Sequence, residues 1–229
     1  MKNILISFSI VAIAVSFSGC SKSNNGPSNI ANVTFVNGCN GSSNIDTKVN
    51  NTKLVAASNL AYFRYSGYQN VTAGASVAIN LFLTNQGTPL CNGTPALTAG
   101  DYYSVFAGGI VTHPTFVVTT DDMTAPTTGN AKVRFINLSS DTLNESCFIG
   151  VGTSKLDSNI SAGTSTPFFE VAATTGAQVL LQDPLKPTVL AEIASQPFSA
   201  GKIYTIMLTG TQYATTSGAG LTLTVINNN

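Results

Sequence analysis

Four cysteines, one histidine and ten acidic residues are the side chains in this 229-residue chain best suited to chemistry. A zinc site needs several nitrogen or sulfur ligands, but the chain has no Cys-x-x-Cys pair and no histidine besides His113. His113 precedes Pro114 in a predicted surface turn, and no Gly-x-Ser-x-Gly elbow offers a nucleophile. The three glutamates all lie in one half of the chain and do not form a glycosidase-type pair. We therefore predict no metal, no cofactor and no enzymatic activity.

Asp121 and Asp122 are the one acidic pair in the sequence. Two adjacent carboxylates could contribute to a calcium site, but calcium needs six or more oxygen ligands. The pair lies in a polar segment between two strand-rich halves. We therefore interpret it as a solvated pair in a linker.

Cys20 closes an apolar N-terminal segment that begins after Lys2 and ends in Phe17-Ser18-Gly19-Cys20. This run resembles a bacterial lipobox, where signal peptidase II cuts before the cysteine and lipid is attached to its sulfur. The resemblance implies that residues 1–19 are a signal peptide and that Cys20 carries acyl chains such as palmitate. The alternatives are an ordinary secretory peptide and a short anchor helix, although the run is shorter than the roughly 20 residues that span a bilayer.

Residues 20–30 contain the cysteine and the polar run SKSNNGPSN, which has too little apolar content to pack. Fully extended, about ten residues reach roughly 33 Å, so this tether can hold a domain clear of the membrane surface. By resemblance to proteobacterial lipoproteins, Ser21 after the cysteine favours the outer membrane. Lys22 is the only charge in the tether, and it leaves open whether the protein faces the periplasm or the cell surface.

Cys39 and Cys91 both lie in the first half of the chain, beside Asn-Gly turns. The bacterial envelope is oxidising, and a bond that closes a loop of this length stabilises by up to about 4 kcal/mol. We predict a disulfide between them, with two buried free thiols as the alternative. Cys147, beside Phe148 and Ile149, is predicted to be a buried inert thiol.

The segment Tyr62-Phe63-Arg64-Tyr65-Ser66-Gly67-Tyr68 is the best candidate for binding. On a β-strand, Tyr62, Arg64 and Tyr68 would share one face. Aromatic and guanidinium groups on an exposed face could stack on sugars or contact a protein partner. The alternative is a strand with one core face and a tyrosine-rich edge.

Thr142 lies in Asp141-Thr142-Leu143, which resembles a short signal for O-glycosylation in Bacteroidetes. A pattern of three residues often occurs by chance. A glycan on Thr142 would decorate one end of the second half of the chain.

Charged residues make up only 9% of the chain, against about 25% in a typical soluble domain. Ten basic residues balance ten acidic ones, and no Lys/Arg cluster is present. Binding to nucleic acid requires a basic surface, so nucleic acid is excluded as a partner. Small polar residues fill the predicted surface instead, which is typical of exported β-proteins.

The chain repeats itself at a spacing of about 100 residues, in the same order along both halves. We infer an internal duplication, with a first copy at 31–119, a linker at 120–130 and a second copy at 131–229. The repeated pairs are ANVTFVN at 31–37 with AKVRFIN at 131–137, SNL at 58–60 with SNI at 158–160, GASV at 74–77 with GAQV at 176–179, and AGDYYSV at 99–105 with AGKIYTI at 200–206.

Within each copy, apolar and polar residues alternate over short runs separated by Gly, Pro and Asn clusters. This period of two predicts half-buried β-strands, and their spacing favours a sandwich or barrel. No helical periodicity extends beyond two turns. Each copy is long enough to bury over 60% of its unfolded surface and to fold by itself.

The second copy resembles the domain-of-unknown-function family 4397, an immunoglobulin-like β-domain of bacterial envelope proteins. The resemblance rests on Val133-Arg134-Phe135-Ile136-Asn137, on Gly176, and on Ala200-Gly201 followed by Tyr204-Thr205. The first copy matches less well, because Asn37-Gly38-Cys39-Asn40 replaces a short polar turn. The resemblance implies an immunoglobulin-like fold and brings no catalytic residues with it.

We therefore predict an all-β protein with two tandem immunoglobulin-like antiparallel β-sandwiches after a lipoprotein signal peptide. The expected function is a non-catalytic, lipid-anchored module of the outer membrane that binds a protein or glycan or acts as a spacer. Two alternatives are a glycan-binding accessory lipoprotein of a polysaccharide-uptake system and a self-associating structural or adhesin subunit.

Overall fold

The computed structural model describes residues 29–141, 148–152, 154–158, 160–183, 188–212 and 220–229. Over these residues the chain forms β-strands and one short 3₁₀ turn at Val55–Ala57, which confirms the all-β sandwich class. The strands of the first half are β1 (Ile30–Asn37), β2 (Ile45–Val49), β3 (Thr52–Lys53), β4 (Gln69–Thr72), β5 (Ile79–Leu83), β6 (Pro89–Gly93), β7 (Tyr102–Ile110) and β8 (His113–Thr120). Those of the second half are β9 (Asn130–Asn137), β10 (Phe148–Val151), β11 (Ser154–Ser158), β12 (Phe169–Ala172), β13 (Thr174–Asp183), β14 (Thr188–Phe198), β15 (Ile203–Thr209) and β16 (Thr222–Asn227).

The first sandwich consists of two four-stranded sheets, β3-β2-β5-β6 and β4-β1-β7-β8. A shared core of apolar side chains, including Phe35, Ile79 and Val105, fills the space between them. The pairs are antiparallel except β1 with β7, which run parallel. A parallel pair needs a long crossover connection, and the chain between these two strands supplies one by building the other sheet.

The second sandwich repeats this arrangement with sheets β11-β10-β13-β14 and β12-β9-β15-β16. Its core includes Phe135, Phe198 and Ile206, and its parallel pair is β9 with β15. Each sandwich is therefore built mainly of antiparallel pairs, as expected, with one parallel pair in its inner sheet.

The sheets that contain β1 and β9, here called the inner sheets, pack face to face. Val33 and Phe35 of β1 point into the core of the first sandwich, while Val36 points towards the second. The structure is thus a stack of four sheets, with the inner sheets buried on both faces. The expectation of half-buried strands is wrong for β1, β7, β9 and β15, because each has a second partner. The apolar cluster between the inner sheets comprises Val36, Phe106, Val117, Ile136, Leu138, Met207 and Ile226, with Phe63 packed against it.

Gly38 allows the two inner sheets to approach closely at one end of this interface. A Cβ atom on Gly38 would lie 2.7 Å from Cδ1 of Leu138, 3.0 Å from Sδ of Met207 and 3.2 Å from the carbonyl oxygen of Ala107. Leu138 and Met207 are completely buried, so neither side chain has space to withdraw. The backbone N–H of Gly109 also donates to the carbonyl of Leu138 at 3.0 Å, which joins the two sandwiches directly.

The repeated asparagine at the end of β1 and β9 explains part of the internal sequence similarity. The Asn37 side-chain amide donates to the carbonyl of Leu60 at 3.0 Å, and that of Asn137 donates to Ile160 at 2.8 Å. Both asparagine side chains are buried and bind the chain segment that carries the repeated Ser-Asn-apolar motif. The segment that carries the motif is therefore fixed by an equivalent hydrogen bond in both sandwiches.

Cys39 and Cys91 are both buried free thiols in the core of the first sandwich. The predicted disulfide is thus absent from this structure, which instead has the alternative arrangement of two buried free thiols. Burial raises the pKa of Cys39 to about 11. Burial, with a smaller contribution from Cys39, raises the pKa of Cys91 to about 12.

Within the described part of the chain, no helix has the length and the hydrophobicity that crossing a membrane requires.

Replacing Gly38 with alanine tests the close approach of the inner sheets. We expect Gly38→Ala to lower the free energy of unfolding by about 1–3 kcal/mol, because the buried neighbours must repack. Gly87→Ala is the matched control, since a Cβ there meets no atom within 4 Å. Urea unfolding checks both, and equal midpoints for the two variants would contradict the close contact.

The buried thiols predict a loss of stability at alkaline pH under reducing conditions. Their folded pKa values lie above the ordinary value of 9.0, so the stabilisation is complete below pH 9.0 and declines as the pH rises towards 11. The double variant Cys39→Ala/Cys91→Ala should show a shallower decline. Urea unfolding at several pH values checks this, and an identical pH slope for wild type and variant would contradict it.

Candidate functional site

A buried ion pair joins the two sandwiches beside the apolar cluster. Nη2 of Arg134, on β9, lies 2.7 Å from Oδ1 of Asp121, which follows β8. Their side chains are only 1% and 0% exposed. Each charge comes from a different sandwich, so the pair exists only where the inner sheets meet.

The Arg134 guanidinium makes hydrogen bonds on all of its nitrogens. Nε donates to Oγ1 of Thr205 at 2.9 Å, and Nη2 donates to Oγ of Ser104 at 3.0 Å. Nη1 donates to Oγ1 of Thr119 at 2.8 Å and to the carbonyl of Thr120 at 3.3 Å. Burial lowers the pKa of Arg134 from its usual value, and the carboxylate of its partner opposes that effect.

Asp121 is surrounded by donors in the same way. Its Oδ2 accepts hydrogen bonds from the hydroxyls of Tyr68 and Ser104, each at 2.6 Å. Burial and the neighbouring Asp121 charge raise the pKa of Tyr68, so this phenol stays protonated and remains a donor. Asn228 completes the network by donating to the Tyr68 hydroxyl at 3.3 Å.

This network is suited to holding two sheets together and not to chemistry. The charges of Arg134 and Asp121 compensate each other, and the groups around them are already engaged in hydrogen bonds. A buried pair of this kind is expensive to form, but removal of one partner leaves an uncompensated charge. The pair therefore favours the packed arrangement of the sandwiches over any arrangement in which it is broken.

The structure does not bring Tyr62, Arg64 and Tyr68 together on an exposed face. Tyr62 is 2.8 Å from Oγ1 of Thr209 in the second sandwich, and Tyr68 binds Asp121, while Arg64 is exposed. The segment is a turn and not a strand, because Phe63 adopts a left-handed conformation with φ of +66°. The predicted binding face is therefore largely part of the interface between the sandwiches.

The other candidate residues remain separate from one another. Asp121 is buried, so the expectation of a solvated linker pair is wrong for it, whereas Asp122 binds Lys132 at 2.9 Å and is half-exposed. His113 is exposed in the β7–β8 hairpin. Among the described residues no group of three or more His, Cys, Asp or Glu is placed to hold a metal. Cys20, Thr142 and Cys147 lie outside the described residues.

Arg134 and Thr34 occupy equivalent positions in the two sandwiches. Thr34 pairs with Ser104 across β1 and β7, and Arg134 pairs with Thr205 across β9 and β15. Both side chains lie on the face of the inner sheet that is turned towards the other sandwich. The second sandwich thus has a long, positively charged side chain at the position where the first sandwich has a short hydroxyl side chain.

The residues around these two positions are also equivalent. Asp121 and Asn228 each donate a backbone N–H, at 2.8 Å, to the first residue of β7 and of β15 respectively. Tyr68 and Phe168 each stand two residues after a hydroxyl side chain that accepts a backbone N–H from the opening strand. The Phe168 ring covers Arg134, with its centroid 4.7 Å from Cζ.

A groove of about 280 Å³ lies over Thr34, at the place equivalent to the space that Arg134 fills. Thr34, Tyr65, Gly67 and Tyr68 line it from the first sandwich, and residues 226–229 line it from the second. Thr34 is 3% exposed, and its hydroxyl has no hydrogen-bond partner in the described part of the protein. Tyr65 is 39% exposed, one of three large apolar side chains in the described regions that reach this level.

Sequence reasoning missed both the ion pair and the groove. The available signal was the alignment of the two opening strands, in which Thr34 and Arg134 are the most dissimilar pair. An arginine that alternates with core residues is also what a solvent-facing position of a half-buried strand looks like, so this difference did not by itself predict burial. Asp121 has no such signal, because its polar neighbours are typical of a linker.

Breaking the ion pair should destabilise the protein strongly. We expect Arg134→Met to lower the free energy of unfolding by about 3–5 kcal/mol, since it leaves Asp121 buried without its partner. The pair Lys53–Asp46, in which the lysine side chain is 52% exposed and the aspartate side chain 16% exposed, provides the control. Lys53→Met should cost less than about 1 kcal/mol. Urea unfolding measures both, and equal losses would contradict a stabilising role for the buried pair.

Comparison with known proteins identifies a family for the first half of the chain. Residues 31–144 match the family described as "Domain of unknown function (DUF4397)". The match covers the first copy and the opening strand of the second, whereas the sequence motifs gave more weight to the second copy. No curated protein matches the chain.

Two solved structures are similar to the chain. One is a carbohydrate-binding module of family CBM26 from Eubacterium rectale, in complex with maltoheptaose, at 9% identity, TM-score 0.26, and coverage of 87% of this chain and 97% of that one. The other is a candidate cell adhesion protein from Bacteroides uniformis, at 11% identity, TM-score 0.26, and coverage of 88% and 100%. At these values neither likeness carries an argument about function. The family resemblance seen in the sequence is confirmed, and the chain contains, over residues 31–144, a domain of the DUF4397 family.

Proposed function

We propose that this protein is a non-catalytic module of the bacterial outer membrane, anchored by lipid on Cys20, that presents two sandwiches as one rigid body. The observation that carries the proposal is the interface between the inner sheets, with its apolar cluster and its buried Arg134–Asp121 pair. The lipid fixes the position, the tether at 20–30 gives the distance from the membrane, and the sandwiches present their surfaces beyond it.

The rigidity of the double sandwich follows from the composition of its interface. Interfaces between domains of one chain are usually polar, and relative motion is then the default expectation. Here the interface combines a contiguous apolar cluster with a desolvated ion pair and with the hydrogen bond between Tyr62 and Thr209. Rotation of one sandwich against the other would expose the apolar cluster and break the ion pair together.

The same interface supports a role without catalysis. Strongly perturbed ionisable groups are often catalytic, but here four of them are buried in the interface or in a core. Tyr68 and Arg134 contact Asp121, and Cys39 and Cys91 lie inside a core. Of these four groups Tyr68 alone lines a groove, and its hydroxyl is already bonded to Asp121.

A glycan-binding accessory role is the second candidate. The groove over Thr34 favours it, because that groove offers an exposed aromatic ring beside amide groups.

The lipid anchor is tested in cells that express the full chain or a Cys20→Ala variant. We expect metabolic incorporation of labelled palmitate into the wild type only, and release of the variant from the membrane fraction, because the cysteine sulfur carries the acyl chains. Cleavage by protease added to intact cells would place the protein outside, and protection until the outer membrane is opened would place it in the periplasm. Equal membrane association of wild type and variant would overturn the proposal.

A further inference from the structure

The groove over Thr34 is a vacant counterpart of an occupied site. In the second sandwich the equivalent space holds the Arg134 side chain, which lies beneath Phe168 and bonds to Asp121. In the first sandwich the short side chain of Thr34 leaves that space open. The groove over Thr34 therefore corresponds to a space that, in the second sandwich, an elongated polar side chain fills.

The groove has an unsatisfied polar group at its base. The hydroxyl of Thr34 is buried and has no partner in the described regions. Burial of a hydroxyl without a hydrogen bond is unfavourable, and this oxygen lies just beneath the accessible surface of the groove that Thr34 lines. A ligand that displaces the atoms covering it would supply the missing bond.

The lining of the groove selects a neutral occupant. No side chain that lines it is charged, and Asn228 stands where the other half of the interface has Asp121. The nearby carboxylate of Asp121 is already neutralised by Arg134, and the main-chain oxygen of Asn229 accepts a hydrogen bond from Nζ of Lys202 at 3.2 Å. None of the side chains that line the groove offers a counter-ion to a cation or a basic partner to an anion.

An exposed aromatic ring and several amides complete the site. Tyr65 offers a partly exposed ring, and the negative face of that ring attracts the polarised C–H groups of a saturated ring. Asn227 is exposed at the end of β16 and can bond hydroxyl groups through its side-chain amide. A volume of about 280 Å³ lies just below the range of about 300–1,000 Å³ of pockets for drug-sized ligands, so the groove has room for one sugar ring and not for a protein partner, which needs a wide surface.

We propose that this groove binds a sugar residue of a neutral glycan, with the ring on Tyr65 and hydroxyl groups on Asn227 and, directly or through water, on Thr34. This inference deepens the proposed function by naming the ligand class of the anchored module. The site needs both sandwiches, because Tyr65 and Thr34 come from one and Asn227 from the other. The rigid interface is therefore what would hold the site in shape.

The test uses the full chain in zwitterionic detergent micelles without sugar head groups. The probes are neutral hexasaccharides of glucose, xylose, mannose and N-acetylglucosamine, observed by saturation-transfer NMR and titrated against the ring signals of ¹³C-labelled tyrosine. We expect at least one of them to perturb Tyr65, with a Kd on the order of 0.1–1 mM, given the few contacts available. Failure of every hexasaccharide to perturb Tyr65 would overturn the proposal.

Four variants assign the contacts. Tyr65→Ala should weaken binding at least about tenfold, Tyr65→Phe should retain it, and Val55→Ala, which changes an exposed apolar residue outside the groove, should leave it unchanged. Thr34→Val should raise the urea midpoint and weaken binding, because the hydroxyl is useful only to a ligand. Full affinity in Tyr65→Ala would overturn the proposal, and unchanged affinity in Thr34→Val would remove that hydroxyl from the site.

Nα-acetylarginine amide is the competing probe, since the equivalent space holds an arginine side chain. Perturbation of Tyr65 by this cation and not by the sugars would overturn the assignment to a neutral glycan. Lipid labelling and protease accessibility do not depend on Tyr65 or Thr34. The proposed function and the sugar site therefore fail in different experiments.

Discussion

The buried pair of Arg134 and Asp121 can exist only where two sheets exclude water from both partners at once. Each residue is buried because the other sandwich covers it, and each is satisfied because the other sandwich supplies its counter-charge. The double burial of β1, β7, β9 and β15 follows from the same contact. Without the contact between the inner sheets, each of them would expose an apolar face to solvent.

The apolar cluster and the ion pair contribute differently to this contact. Burial of Phe106, Ile136 and Met207 is non-directional and would tolerate some sliding of one sheet over the other. The guanidinium of Arg134 is planar and its donors point in fixed directions, so its bonds to Ser104, Thr119 and Thr205 are lost on a small displacement. The cluster thus supplies most of the attraction and the polar network fixes the register.

The sequence was informative where local rules determine the structure. Alternation predicted β1 and β9, and the repeated motifs placed Asn37 and Asn137 in equivalent roles, because strand period and turn chemistry are read over a few residues. The segment around Phe63 has the composition of a strand, but a left-handed residue turns the chain and directs Tyr62 and Tyr68 into the interface. That outcome depends on the second sandwich, which no local pattern describes.

The anchor on Cys20 and the glycan on Thr142 remain predictions from the sequence, since both residues lie outside the described ranges. The ion pair was out of reach for a different reason. Asp121 lies in a polar segment that resembles a linker, and Arg134 lies in a strand position that alternates with core residues, so both residues look solvent-facing in the sequence. Only the packing of two whole sheets, which involves long-range contacts, converts these two surface-type residues into a buried pair.

The two sandwiches have the same fold but carry different residues at one pair of equivalent positions in their interface. This difference distinguishes a residue that joins the sheets from one that leaves room for a ligand. A duplicated fold presents two equivalent positions, and both could have held the same residue if they served only to join the sheets. One position has Arg134 with Asp121, which closes its space, and the other has Thr34 with Asn228, which leaves about 280 Å³ open. An open space with a buried unpaired hydroxyl costs stability, whereas a filled one would not. The loss of stability at the Thr34 position, and not at the Arg134 position, is most simply explained by a ligand that the groove binds. The Arg134–Asp121 network then keeps the two sandwiches in the arrangement that forms the groove.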